Sequence, residues 1–211
     1  MKFATAFILC FVIFCAWNYL EMKRRSRQEQ QLEDAFWERE SEANSVRRKP
    51  IDQLEYIQIP EELPRDLLTD DINVQGLIST IDALKGQRIL NLTGRTNTDL
   101  KLEYGTANIT ALSTYDQNYT TLITSFQKWA EILLANGYEA KAIPLLEFIV
   151  ATNGDIGETY RLLAKHYLKT GEEEKYEDLL TSIKRIHSIN KNHIYESVEK
   201  LKESDSFNIY K

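Results

Sequence analysis

The C-terminal half repeats itself, and this self-similarity narrows the fold more than any other feature. Residues 126–149 (FQKWAEILLANGYEAKAIPLLEFI) and 160–183 (YRLLAKHYLKTGEEEKYEDLLTSI) align without a gap at an offset of 34 residues. In that register Phe126 pairs with Tyr160, Trp129 with Leu163, Ala130 with Ala164, Leu133 with Tyr167, Gly137 with Gly171, Leu145 with Leu179, Leu146 with Leu180 and Ile149 with Ile183. A large residue, then a small one, then a glycine two turns on is what two antiparallel helices need. The small side chain admits the second helix and the glycine makes the turn. A period of this length predicts stacked helical hairpins sharing one core, and so an all-α fold.

The pattern resembles the tetratricopeptide repeat, whose period is 34 and whose paired helices stack into a right-handed solenoid. The likeness covers residues 119–188. Tyr160, Leu163, Ala164, Tyr167 and Gly171 stand where that repeat has its aromatic, leucine, small residue, second aromatic and turn glycine, and Ala142 matches the small residue of the second helix. There are departures. Tyr176 replaces that alanine in the second copy, Ile149 and Ile183 stand where a small residue is usual, and Gly154 stands in place of the closing proline. A generic pair of helical hairpins is the alternative. Residues 192–203 then read as a capping helix with Ile194, Val198 and Leu201 facing the stack.

The resemblance implies a protein or peptide partner and no chemistry. In that family the first helix of each hairpin lines a concave groove. This places Arg161, Lys165 and Lys169, one basic row at four-residue spacing, in the groove with Gln127 and Glu131 of the first copy. The row is similar to the basic pair with which some such repeats grip a terminal carboxylate through charge-assisted bonds. Glu131 departs from that pattern by its negative charge. The competing reading is a solvated helix face whose lysines pair with Glu172, Glu173 and Glu174.

The other constraint lies at the N-terminus. Residues 3–20 (FATAFILCFVIFCAWNYL) carry only Thr5 and Asn18 outside the apolar set, and at ~1.5 Å per residue they nearly span a ~30 Å hydrocarbon layer. They are expected to form a single transmembrane helix with the lipid bilayer as partner. Lys23, Arg24, Arg25 and Arg27 follow it, and basic excess stays inside, which predicts a single-pass plasma-membrane protein with a cytoplasmic C-terminal domain. The plan is similar to membrane-anchored tetratricopeptide proteins of unassigned role in Gram-positive bacteria, which would make the membrane a bacterial inner one. Cys10 and Cys15 read as small hydrophobes in the span. Leu9 and Phe14 precede them where a lipoprotein needs small residues, and no small-x-small pair marks signal cleavage.

The whole chain holds 26 Lys+Arg against 32 Asp+Glu. Five of the basic residues and only Glu21 among the acids fall in the first 27 positions, so the remainder is strongly acidic and unsuited to nucleic acid. Residues 21–48, without Gly or Pro, continue as a helical stalk. Leu32, Ala35, Phe36, Ala43 and Val46 give it an irregular apolar stripe, open to a weak dimeric coiled coil or to a solvated connecting helix. Phe36 and Trp37 are expected to dock on the globular domain.

Lys49-Pro50 ends the stalk. The expected organisation is an anchor (1–22), a basic juxtamembrane stalk (23–49), an extended linker (50–68), a helix plus irregular segment (69–118), two repeats (119–188) and a capping helix with tail (189–211). Within 69–118 the apolar spacing of Ile72, Leu77, Ile78, Ile81 and Leu84 predicts a helix closed near Gly86. RILNL and LKLEY, on either side of TGRTNTD, are either a short β-hairpin or an ordered loop. Asn91, Asn108 and Asn118 begin Asn-x-Thr triplets, read as loop and cap asparagines. No P-loop, His-Glu-x-x-His or Gly-x-Ser-x-Gly occurs, and His166, His187 and His193 stand apart. The expectation is therefore no enzyme, no cofactor and no metal, but a membrane-tethered adaptor or scaffold. An obligate non-catalytic subunit of a membrane complex is the alternative, and an enzyme with its site in 88–118 comes third.

Overall fold

A computed structural model describes the backbone of residues 2–209 and the side chains of residues 11–202. The regular structure among the described residues is helical: α1 (Lys2–Ser45), α2 (Ile72–Ala83), α3 (Asn97–Tyr104), α4 (Ile109–Ala135), α5 (Glu139–Ala151), α6 (Gly157–Thr170), α7 (Glu173–Arg185) and α8 (Lys191–Ile209). A 3₁₀ turn, Thr106–Asn108, precedes α4. Two compact units divide the chain. One joins the residues up to Pro50 to Thr96–Ile109, and the other joins Ile51–Arg95 to the residues from Thr110 onward.

In the first unit α1 is joined to α3 by polar contacts. Arg39 donates to Asp99 at 2.6 Å, Thr98 Oγ1 donates to Glu40 at 2.8 Å, and Lys101 pairs with the same Glu40. These donors, Lys101 first and Thr98 next, hold the Glu40 carboxyl below the usual carboxylate range. Helix α1 stops at Ser45, ahead of Pro50, because the backbone beyond it is bound elsewhere. Asn108 Nδ2 donates to the carbonyls of Lys49 and Tyr104, both at 2.7 Å, and its Oδ1 accepts from Arg48 Nε at 3.1 Å.

The single-pass anchor is corrected. Among the described residues no helix is long and apolar enough to cross a membrane. Helix α1 runs without a break into Glu21, Lys23, Arg24 and Arg25. The expected side-chain character of residues 3–10 lies outside the described residues. The plasma-membrane localisation and the cytoplasmic placement built on that span fall with it. Phe36 and Trp37 are 54% and 59% exposed and stack edge to face at 5.3 Å.

The β-hairpin is likewise corrected, since no strand occurs among the described residues. Thr96 and Asp99 form a capping box, in which Asp99 N–H donates to Thr96 Oγ1 at 3.2 Å and Thr96 N–H donates to Asp99 Oδ2 at 3.1 Å. Two otherwise unpaired donors are satisfied at once, so LKLEY is the body of α3. Its would-be partner, 88–92, lies against other segments: Ile57 N–H donates to the Ile89 carbonyl at 2.9 Å and Leu90 N–H to that of Tyr115 at 3.2 Å.

In the second unit the two aligned segments form helical hairpins of matching length. Helices α5 and α7 are offset by 34 residues at both ends. Phe126, Tyr160, Trp129, Leu163, Ala130, Ala164, Ile149 and Ile183 are all fully buried. Both turns close alike: Tyr138 N–H donates to the Leu133 carbonyl and Glu172 N–H to that of Tyr167, each at 2.9 Å, around Gly137 (φ 82°) and Gly171 (φ 72°). These are glycine-terminated helix ends, which a side chain would strain. Tyr176, the large residue where alanine was expected, is buried and donates to the Val198 carbonyl of α8 at 3.1 Å. Gly154 has no room for a Cβ beside Ile149. Helix α2 begins at Asp71, whose carboxylate accepts from the Asn73 N–H at 2.7 Å, and adds Val74 and Ile81 to the same core.

Two outcomes follow from this core. Ala164→Leu overpacks a closed contact and should cost about 1–3 kcal/mol, read by chemical denaturation against the near-neutral control Glu173→Gln. Burial pushes Tyr119 and Tyr176 up to about 12 and raises Tyr160 and Tyr167 as well. These phenols ionise later in the fold than in the unfolded chain, so their contribution is complete below ~10 and is lost as pH climbs through the folded values. Tyrosinate absorbance and helical circular dichroism should therefore change together in alkali; ionisation of all eleven tyrosines with the helices intact would contradict it.

Candidate functional site

Helix α6 buries Thr159, Tyr160, Leu163, Ala164 and Tyr167. At 3.6 residues per turn its opposite face carries Arg161, Lys165 and Lys169 in one row. Arg161 donates through Nε to Glu158 at 2.6 Å, and the two groups form an i,i+3 ion pair. That carboxylate raises the Arg161 guanidinium further above its usual value. Lys165 is exposed. Lys169 donates to Glu139, the first residue of α5, at 3.1 Å. The acids that meet the row are thus Glu158 and Glu139; Glu172 instead engages Lys175 at 2.6 Å.

Glu139 also receives His166, whose Nδ1 lies 2.9 Å from Oε1. His166 and then Lys169 hold the Glu139 carboxyl below its usual range. On its other side His166 places Nε2 3.7 Å from Glu172, so one ring joins the starts of both second helices of the hairpins. No sequence signal marks this cluster, because Glu139 and His166 are 27 positions apart.

The first copy contributes differently from the expected row. Gln127 is 6% exposed. Its Oε1 accepts from Thr159 Oγ1 at 2.6 Å, and its Nε2 donates to Glu131 Oε1 at 2.7 Å. Gln127 is therefore a polar clasp between α4 and α6 instead of a groove residue, and Glu131 is the exposed end of that clasp. Thr159, the partner that makes the clasp, has no signature of its own in the sequence.

A cleft of about 340 Å³ lies against α5, α6 and α7, with Leu163, Tyr167 and Leu179 among its apolar lining and Glu147, Lys175 and Asp178 among its charged groups. Glu147 accepts from the Tyr167 hydroxyl at 2.9 Å, and Lys175 lies 5.5 Å from the centre of that ring. No group of three or more metal-binding side chains occurs among the described residues.

The three Asn-x-Thr asparagines are committed to the fold. Besides the Asn108 bonds, Asn91 Nδ2 donates to the carbonyls of Thr152 and Asn153 at 2.9 and 3.1 Å, and Asn118 Nδ2 donates to that of Arg88 at 3.0 Å. A glycan on any of these nitrogens would displace those bonds.

Comparison with protein-family models, with curated proteins and with solved structures found no match for this chain.

Thr159→Val removes the hydroxyl that satisfies Gln127 and leaves a buried acceptor unpaired, a loss of about 1–3 kcal/mol. Denaturation of the double variant Thr159→Val, Gln127→Leu should recover most of it; equal melting of the Thr159→Val variant and the parent would show that the clasp carries no energy.

Proposed function

We propose that this chain is a protein-interaction module of tetratricopeptide type, an adaptor that takes an acidic or carboxyl-terminal segment of a partner protein along the outer face of α6. The observation that carries this reading is the row Arg161, Lys165 and Lys169, held at four-residue spacing opposite the buried face of one helix. Two of its cations are matched internally, yet their partners Glu158 and Glu139 are themselves more than a third exposed. Exposed ion pairs of this kind contribute only ~0–1 kcal/mol, and a carboxylate that reaches more than one cation of the row makes several charge-assisted hydrogen bonds at once. An incoming carboxylate therefore competes with weakly held internal acids and finds Lys165 exposed between them. No nucleophile and base are paired along this row, which favours binding over catalysis.

A second reading makes the chain a non-catalytic subunit covered by one obligate neighbour. Its support is the first part of α1, where Phe11, Phe14 and Trp17 are all more than half exposed, an apolar surface of the kind that marks interaction sites.

Quantitative pull-down with the full chain separates the two. Several substoichiometric partners, lost at least tenfold on Arg161→Glu with Lys165→Glu while the melting point holds, support the adaptor. Unchanged capture in the double reversal removes the α6 face from the argument. One stoichiometric neighbour, insensitive to that reversal, supports the subunit.

A further inference from the structure

A different face, formed by α2 and α4, is complementary to itself. Between these helices runs a groove of about 700 Å³, lined by Ile72, Gly76 and Leu77 from α2 and by Lys128, Ile132 and Ala135 from α4, with Glu131 beside them. Ile72, the first residue of α2, is 81% exposed. Gly76, one turn later, is exposed and open: a Cβ built there meets nothing within 4 Å. Its φ lies outside the left-handed region, so neither backbone conformation nor packing within one copy requires glycine there. A glycine inside a helix costs stability, and a contact that needs the space would account for it. A protruding side chain and a position without one thus lie a turn apart on one surface.

The charge pattern on α4 names the occupant. Thr124, Lys128, Glu131 and Ala135 are all exposed, and their 4-3-4 spacing puts them on one face of α4. Read in reverse, the stripe maps onto itself, Lys128 onto Glu131 and Thr124 onto Ala135. A two-fold axis performs that reversal, since it sets the same patch of each copy against the other. Two antiparallel copies of α4 then make the Lys128–Glu131 pair twice, and the small residues at either end let the helices approach. Glu131 is already held in position by Gln127 Nε2 at 2.7 Å.

We infer that the α2–α4 face is the two-fold interface of a homodimer, with Ile72 of each copy seated over Gly76 of the other. This does not rest on the peptide reading, whose row lies on α6.

Analytical ultracentrifugation of the full chain across a range of concentrations tests it, with thermal melting in parallel. Ile72→Asp puts an unpaired charge into the contact but sits at the start of a helix, where an acid is tolerated; it should halve the sedimenting mass and leave the melting point of the monomer intact. Lys128→Glu and Glu131→Lys should each weaken association at least tenfold, and the two together should restore it, because the exchanged pair is again complementary across the axis. Association through α1 would be indifferent to all four proteins. Equal sedimentation of the parent and the Ile72→Asp variant overturns the interface, and failure of the double exchange to restore association overturns the antiparallel register.

Discussion

The short loop between α5 and α6 carries three successive carbonyls that the second unit must satisfy, and its architecture is arranged around doing so. The Thr152 carbonyl accepts from Tyr119 Oη at 2.9 Å, that of Asn153 from Asn91 Nδ2 at 3.1 Å, and that of Gly154 from Tyr160 Oη at 2.6 Å. Gly154 is buried, and an unpaired buried backbone group is costly. Here their partners come from α4, from the irregular segment ahead of it and from α6, so one loop fixes the placement of three parts of the chain. The stacking of one hairpin on the next depends on this junction, and the absence of a side chain at Gly154 is what lets it close against Ile149.

The second unit was largely legible in the sequence because its regularity is periodic. Most of the large residues that the alignment pairs are buried, and both turns fall at the glycines it pairs. Where the sequence misled, the competing signal was short. LKLEY alternates as a strand does over five residues, but Thr96 and Asp99 just ahead of it start a helix, and a capping box outweighs so brief an alternation. Likewise the apolar run at the N-terminus suggests a span by its composition, whereas no helix among the described residues is long and apolar enough to cross a membrane.

The candidate site was legible only in part, for a physical reason. The row on α6 follows from helical spacing within one segment. The groups that set its charge do not: Glu139 lies 30 positions from Lys169, and Thr159 lies 32 from Gln127. Such pairings are products of the tertiary fold, and a helix read alone cannot show them. Gln127 illustrates the point, since its place in the repeat suggests a groove residue, whereas it is buried and its side-chain oxygen is satisfied by a hydroxyl on the next hairpin.

The turn geometry also bears on how the protein ages. Asn136-Gly137 and Asn153-Gly154 are the kind of dipeptide that deamidates fastest in flexible peptides, through attack of the glycine nitrogen on the asparagine side chain. In the folded chain both nitrogens are occupied: Gly137 N–H donates to the Leu134 carbonyl at 3.1 Å and Gly154 N–H to that of Ile149 at 2.8 Å. The asparagine at the first junction is held as well, its Nδ2 donating to the Ile132 carbonyl at 2.9 Å. The hydrogen bonds that end α4 and α5 therefore also guard the covalent integrity of the chain, and chemical damage at these junctions becomes a clock for how often the hairpins open.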